Sequence, residues 1–271
     1  MEHNKVIKHI VNWLNQYAKN AHVNGFVIGI SGGIDSAVTS TLCALTGKKT
    51  ILVEMPIHQD HSQVSRGRTH ISYLKETYPN CTDVELDLTQ TYDQFVAQLS
   101  SKADMTKSEE IKNLTLGNTR ARLRMTSLYA VAGIEGLLVA GTGNKVEDFG
   151  VGFFTKYGDG GVDLSPIADL YKTEVYALAK TLGVNDAILT AAPTDGLWED
   201  GRTDEDQIGA TYSELEEAMQ IHEVFGDNPP KCEFKTTRSE IVWKIYLSRF
   251  KANQHKMNPI PVCKIPTELK N

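Results

Sequence analysis

The residues Gly29, Ile30, Ser31, Gly32, Gly33, Ile34, Asp35 and Ser36 lie between a short apolar run and a helix-like segment. A strand that feeds a helix through a glycine-rich loop gathers free backbone N–H groups at the positive end of the helix dipole. Such a place is an anion site, and phosphate is its natural ligand. Gly32 and Gly33 let the backbone approach the phosphates, and the Ser31 and Ser36 hydroxyls add hydrogen bonds. Asp35 does not fit phosphate directly. A carboxylate beside a phosphate cluster is expected to act through a bridging cation, and Mg2+, which takes one or two carboxylates together with phosphate oxygens, suits the position.

Other readings of the same residues are weaker. The loop has no GK[ST], so it is not a Walker A motif and supplies no lysine to the β and γ phosphates. Gly29, Ser31 and Gly33 also spell the G-x-S-x-G nucleophile elbow. An elbow follows several strands, whereas here a single helix precedes the first strand and leaves no source for an oxyanion-hole loop. His58, His61 and His70 form an HxxH-like group without the cysteines or carboxylates of a metal site.

The elements that must carry these residues follow from periodicity. Val6, Ile7, Ile10, Val11, Leu14 and Tyr17 recur at three- and four-residue intervals, which predicts an opening amphipathic helix. Phe26 to Ile30 reads as a strand and about Asp35 to Leu45 as a helix. TILVEMP is a second strand, with Met55 at its end a candidate neighbour of adenine. Ser62 to Thr77 reads as a helix, CTDVELDL as a strand and Thr89 to Leu99 as a helix. A helix from about Asn118 to Ala132 leads into GLLVAGT, a fourth central strand, and a helix covers Thr173 to Leu182. Strands alternating with helical crossovers predict an α/β fold of three layers, with a parallel, Rossmann-like sheet between helices. Thr190 to Gly209 is acid-rich with turn residues and reads as a long loop able to close over a site. Capping boxes at Thr211 with Glu214 and at Thr237 with Glu240 mark two C-terminal helices. The proline-rich tail is not helical.

Composition limits the partners. The 28 basic and 34 acidic residues give a net charge of −6, and no basic stripe offsets it, so nucleic acid is not an expected partner. No apolar run approaches the roughly 18 residues of a membrane span, and the charged N-terminal stretch lacks a signal-peptide core. Cys43, Cys81, Cys232 and Cys263 form no CxxC pair, which suits reduced thiols and a cytoplasmic location. One domain over 1–271 is expected.

SGGIDS resembles the pyrophosphatase loop of the adenine nucleotide α-hydrolase-like enzymes, which adenylate a substrate and release pyrophosphate. From about residue 25 to residue 257 the chain is similar to the ammonia-dependent NAD synthetases. GNTRARLRM, AGTGNKVED, GFFTKYGDGGVDL, SPIADLYKTEVY, APTDGLW and NQHKMNP stand in that family's order. The resemblance implies ATP-dependent amidation of deamido-NAD with ammonia through an acyl-adenylate. It assigns ATP to the 29–36 loop, Thr142, Lys172 and Thr194, and deamido-NAD to Arg122, Lys156, Asp163, His255 and Lys256. Mg2+ falls to Asp35 and Glu147, with Asp35 and Lys172 at the chemistry. Between Glu147 and Lys156 the chain carries one residue more than some relatives. The resemblance also implies a homodimer with the substrate site at the subunit interface. A glutaminase domain, needing on the order of 200 further residues, does not fit in 271, so free ammonia is the expected donor. The other members that share the loop, adenylating amidotransferases and thiolation enzymes, are the alternative.

Overall fold

Phe26, Val27 and Ile28, and likewise Ile51, Leu52 and Val53, are buried on both faces of one sheet, as unbroken apolar runs in a parallel sheet must be. They form β1 (Gly25–Gly29) and β2 (Lys49–Glu54), paired parallel with Ile28 opposite Leu52. The computed structural model describes residues 1–102, 107–194 and 203–270. β3 (Cys81–Glu85) pairs with β2, and β4 (Leu138–Val139) pairs with β1, giving the order β3-β2-β1-β4. The chain winds outward from β1 to β3 and then crosses to the far side of β1. The loops after β1 and β4 therefore leave the sheet at its topological switch point, where open α/β sheets hold ligands.

Strand alternation divides the core. Phe26, Ile28 and Leu52 face a layer built from α1 (His3–Asn20), α2 (Ile34–Ala44), α3 (His61–Thr77), α6 (Lys172–Thr181) and α7 (Asp186–Leu189). Val27, Ile51, Val53 and Val139 face Ala132 of α5 (Glu109–Glu135) and Leu137. α4 (Thr89–Ser100) packs beside α5. The expected three layers are present. A third apolar cluster joins α8 (Asp204–Ile208), α9 (Tyr212–Phe225) and α10 (Thr237–Met257) to the segment after β4 through Val146, Leu215, Trp243 and Tyr246.

Several local expectations need correction, including that of the tail, where Thr267–Leu269 form one 3-10 turn after Pro266. α5 starts nine residues before Asn118, because the Ser108 side chain caps Ile111 and two glutamates fill its first turn. The 190–209 stretch is not all loop: Thr203 and Asp206 form a capping box that opens α8, a helix too short to show a period. The last helix is capped one residue earlier than the sequence suggests, by Thr236 with Ser239 as its partner. The Thr211–Glu214 box stands as expected.

The phosphate loop depends on Gly32. Its φ is +79°, and a Cβ there would lie 2.3 Å from the Gln63 carbonyl oxygen of α3. Gly32→Ala is therefore expected to destabilise the protein by about 2 kcal/mol or more and to weaken ATP binding. Denaturant unfolding and calorimetric ATP titration check this, and unchanged values in both would contradict the placement.

Candidate active site

Three segments carry the centre. Asp35 is the second residue of α2, whose N-cap is Gly33. After β4 the Asn144 carbonyl oxygen of the side chain accepts from the N–H groups of Val146 and Glu147 at 3.1 and 3.0 Å. This opens a π-helix over Lys145–Val151 that ends at Gly152, with φ +63°. The wider i→i+5 turn is how a helix takes in one extra residue, and such turns cluster at functional sites. Lys172 is the first residue of α6.

These segments bring three charges together. The Lys172 ammonium donates to Asp35 Oδ2 at 2.6 Å and to Glu147 Oε1 at 2.8 Å, with its side chain only 3% exposed. A cation at a helix N-terminus opposes the dipole, so this position is set by the two carboxylates. The Glu216 carboxylate of α9 offsets the cost by accepting from the Thr173 backbone N–H at 3.0 Å and hydroxyl at 2.7 Å. Burial works against the charge on Lys172, but the fields of Asp35 and Glu147 and the hydrogen bonds to both hold its pKa above the ordinary lysine value.

Asp35 and Glu147 are held from other sides as well. The Asn144 amide donates to Asp35 Oδ1 at 3.1 Å. The Tyr212 hydroxyl donates to Glu147 Oε1 at 2.5 Å and lies 3.4 Å from Asp204 Oδ2. Among the described residues both donors to Glu147 thus use Oε1 and leave Oε2 for another ligand. Burial, then the Glu147 carboxylate, push the Tyr212 phenol up, which keeps it a neutral donor. Asp148 lies beside the same group, raised by burial and then by the fields of Asp159, Glu147 and Asp35. Carboxylates outnumber the lysine here, and hard oxygen donors of this kind suit a divalent cation shared with phosphate. A dedicated cage of three or more ligating side chains is absent among the described residues.

The phosphate loop is closed on itself. The Ser31 and Ser36 hydroxyls lie 3.1 Å apart, Ser36 donates to the Gly33 carbonyl at 2.9 Å, and the Gly33 N–H donates to Ser31 Oγ at 3.2 Å. Ser31 thus pairs with serine and not with a histidine, so the elbow of a hydrolase finds no base in this contact. Gly29 ends β1, and the Ile30 N–H donates to the Val53 carbonyl.

A second group of cations borders this centre. Arg122 of α5 donates to the Lys156 carbonyl at 3.3 Å, and the Lys156 ammonium donates to the His255 carbonyl. Lys256 donates to the carbonyls of Gly152 and Phe154 at 2.6 and 2.9 Å. The glycines of GFFTKYGDGG let this turn lie flat on α5, since a Cβ at Gly158 would meet Ala121 at 2.9 Å and one at Gly161 would meet Met125 at 3.0 Å. Tyr157, at φ +61°, takes the left-handed backbone that non-glycine residues avoid.

Several other sequence candidates have structural partners. Asp163 accepts from the Val139 N–H at 2.8 Å and from the Tyr129 hydroxyl at 3.0 Å, so it ties β4 to α5. Thr142 is half-buried between β4 and Asn144, and Thr194 is exposed at the end of a described segment. The remainder of APTDGLW lies outside the described residues. Met55 is buried, and its carbonyl accepts from Arg124 at 3.0 Å. The histidines disperse: His58 pairs with Asp93 at 2.7 Å, whereas His70 is buried against Ser40 at 2.9 Å. Asn144 and Tyr212 went unnoticed in the sequence.

With this geometry in view, the comparisons with known proteins converge. The family model for NAD synthase matches residues 6–260. The NH3-dependent NAD(+) synthetase of Methanosarcina acetivorans is 34% identical over 271 residues, covering 97% of this chain and 98% of that one. Among solved structures, the NMN synthetase from Francisella tularensis superposes with a TM-score of 0.82 at 30% identity, covering 98% of this chain and 99% of that one. The NH3-dependent NAD synthetase from Campylobacter jejuni gives 0.76 at 25% identity, covering 97% and 100%.

Proposed function

The chain belongs to the NAD synthase family, its reaction is the ATP-dependent amidation of deamido-NAD with ammonia, and we propose that ATP is cleaved where Asp35, Glu147 and Lys172 meet. The observation that carries this reading is the single buried ammonium shared by two carboxylates beside a phosphate loop. The nicotinate carboxylate attacks the α-phosphorus of ATP, and the bond to the β-phosphate oxygen breaks, releasing pyrophosphate. Ammonia then attacks the carbonyl carbon of the acyl-adenylate, AMP leaves with the C–O electron pair, and a proton goes to solvent.

The residues supply positioning and charge in place of a nucleophile. The N–H groups of the 29–36 loop bind the triphosphate, and Lys172 neutralises the charge that builds on the departing pyrophosphate. Asp35 and Glu147 would hold Mg2+, which supplies charge neutralisation on the phosphate oxygens when bound. Arg122, Lys156 and Lys256 receive the anionic dinucleotide together with Asp163 and His255, while Thr142 and Thr194 border ATP.

Trp13 and Tyr17 of α1, ring centroids 5.5 Å apart, remain partly exposed, and a homodimer that covers them is part of this proposal. So are one synthetase domain using free ammonia and a cytoplasmic location. Among the described residues no helix is long and apolar enough to cross a membrane. The other loop-sharing amidotransferases and thiolation enzymes are not favoured, because the matched relatives named above cover nearly the whole chain.

A second substrate reading has one observation in its favour, the close superposition on a structure named NMN synthetase. Nicotinate mononucleotide offers the same carboxylate on a shorter molecule. Incubation with ATP, Mg2+, ammonium and either acid decides the matter. NAD, AMP and pyrophosphate in equal amounts are expected from deamido-NAD. ADP and orthophosphate would overturn the mechanism, and faster turnover of the mononucleotide would favour the shorter substrate. Within the site, Lys156→Ala is expected to raise KM for deamido-NAD about tenfold, the effect of losing one charged contact, while KM for ATP changes less than twofold. A larger change for ATP would reverse the division of the two subsites.

A further inference from the structure

Tyr212 is the first residue of α9, placed there by the Thr211–Glu214 capping box. The residue is 5% exposed and packs in the cluster with Leu215, Trp243 and Tyr246. The backbone N–H donates to Glu205 Oε1 at 2.8 Å, so α8 fixes its height. From there the hydroxyl reaches Glu147 Oε1 at 2.5 Å, the oxygen that also accepts from Lys172. The Lys172 ammonium sits 5.0 Å from the Tyr212 ring centroid. One side chain thus touches both the carboxylate and the lysine of the centre. The same helix, four residues on, holds the start of α6 through Glu216 and Thr173.

A buried phenol needs a partner, and several polar groups would satisfy it. This hydroxyl instead occupies one oxygen of a carboxylate whose other oxygen stays available, which fixes the torsion of the carboxylate. Outer contacts of this kind orient a metal-ligating group and raise its affinity. We infer that Tyr212 is a positioning residue for the known reaction, setting the Glu147 carboxylate so that Oε2 receives a divalent cation. Through Glu205 and Asp204 it links that setting to α8. The inference rests on the assignment of Asp35 and Glu147 to the metal.

Tyr212→Phe removes the hydroxyl and keeps the ring. Binding of Mn2+ alone, followed by loss of its free-ion magnetic resonance signal, and steady-state kinetics are measured on the full chain. Expected for Tyr212→Phe are a Kd for Mn2+ raised about tenfold and a kcat lowered about tenfold, with KM for deamido-NAD changed less than twofold. In a Glu147→Gln background the same substitution should weaken Mn2+ no further, since the carboxylate that the hydroxyl sets is already gone. Equal weakening in both backgrounds would mean general loss of structure and would overturn the inference. So would Mn2+ affinity and kcat within twofold of the parent in Tyr212→Phe while Asp35→Asn and Glu147→Gln lose the metal. If those two variants bind Mn2+ as the parent does, the metal assignment itself falls, and this inference with it.

Discussion

Lys172→Met should yield a protein that is both less stable and nearly inactive, with stability partly restored by millimolar Mg2+. Methionine fills much of the space of lysine but leaves Asp35 and Glu147 facing each other without the ammonium that now contacts both. Removing one partner of a buried ion pair costs on the order of 3 kcal/mol, because the remaining charges stay desolvated. Thermal unfolding measures the loss. A divalent cation that binds only the folded carboxylates adds stability by mass action, so the variant should gain more from Mg2+ than the parent does. The folded protein holds the pKa of Lys172 above the ordinary lysine value, so its contribution is complete below about pH 10.5 and lost only as pH rises through the folded value. The deficit of the methionine variant, so far as it comes from this group, should be flat between neutral and mildly alkaline pH. Turnover should fall by at least about a hundredfold, since a preorganised charge at the transition state is missing. Activity within tenfold of the parent would remove Lys172 from the chemistry.

Asp35→Asn separates chemistry from folding more cleanly. The amide keeps the size of the carboxylate, and its oxygen still accepts from Asn144, while Lys172 keeps Glu147. The stability change should stay within about 1 kcal/mol. Formation of NAD should drop on the order of a thousandfold, because the loss falls on charge stabilisation that exists only during phosphoryl transfer. Excess Mg2+ should recover little of it. Undiminished turnover would contradict the metal assignment, whereas a collapsed unfolding midpoint would show that the residue is structural.

The two variants use residues that entered by different routes. Asp35 was legible from chemistry alone, because a carboxylate beside a phosphate loop has few uses without a cation. The central strands were legible because burial on both faces demands unbroken apolar runs. Lys172, Glu147, Arg122 and Lys156 lie far from Asp35 in the chain, and one sequence does not state which loops meet at a switch point. They were reached through family resemblance. Tyr212 was missed because a tyrosine opening an amphipathic helix looks like any core aromatic. Its signal was the hydroxyl, which burial obliges to find a partner. Asn144 reads as an ordinary N-cap and is one, but its amide nitrogen remains free to hold Asp35. The π-helix hides for another reason, since one added residue in a short helix leaves no period to measure.

The last turn of α10 reaches back across the chain: Lys256 grips the carbonyls of Gly152 and Phe154, and Asn253 grips that of Val151 at 2.9 Å. The turn that presents Lys156 is thereby anchored from about a hundred residues downstream. Engineering at the carboxyl end inherits this tether. A truncation or fusion joint placed shortly before Asn253 would release the turn around Lys156 while leaving the sheet intact, giving a folded protein in which that turn is slackened. Joints placed beyond Met257 keep the tether.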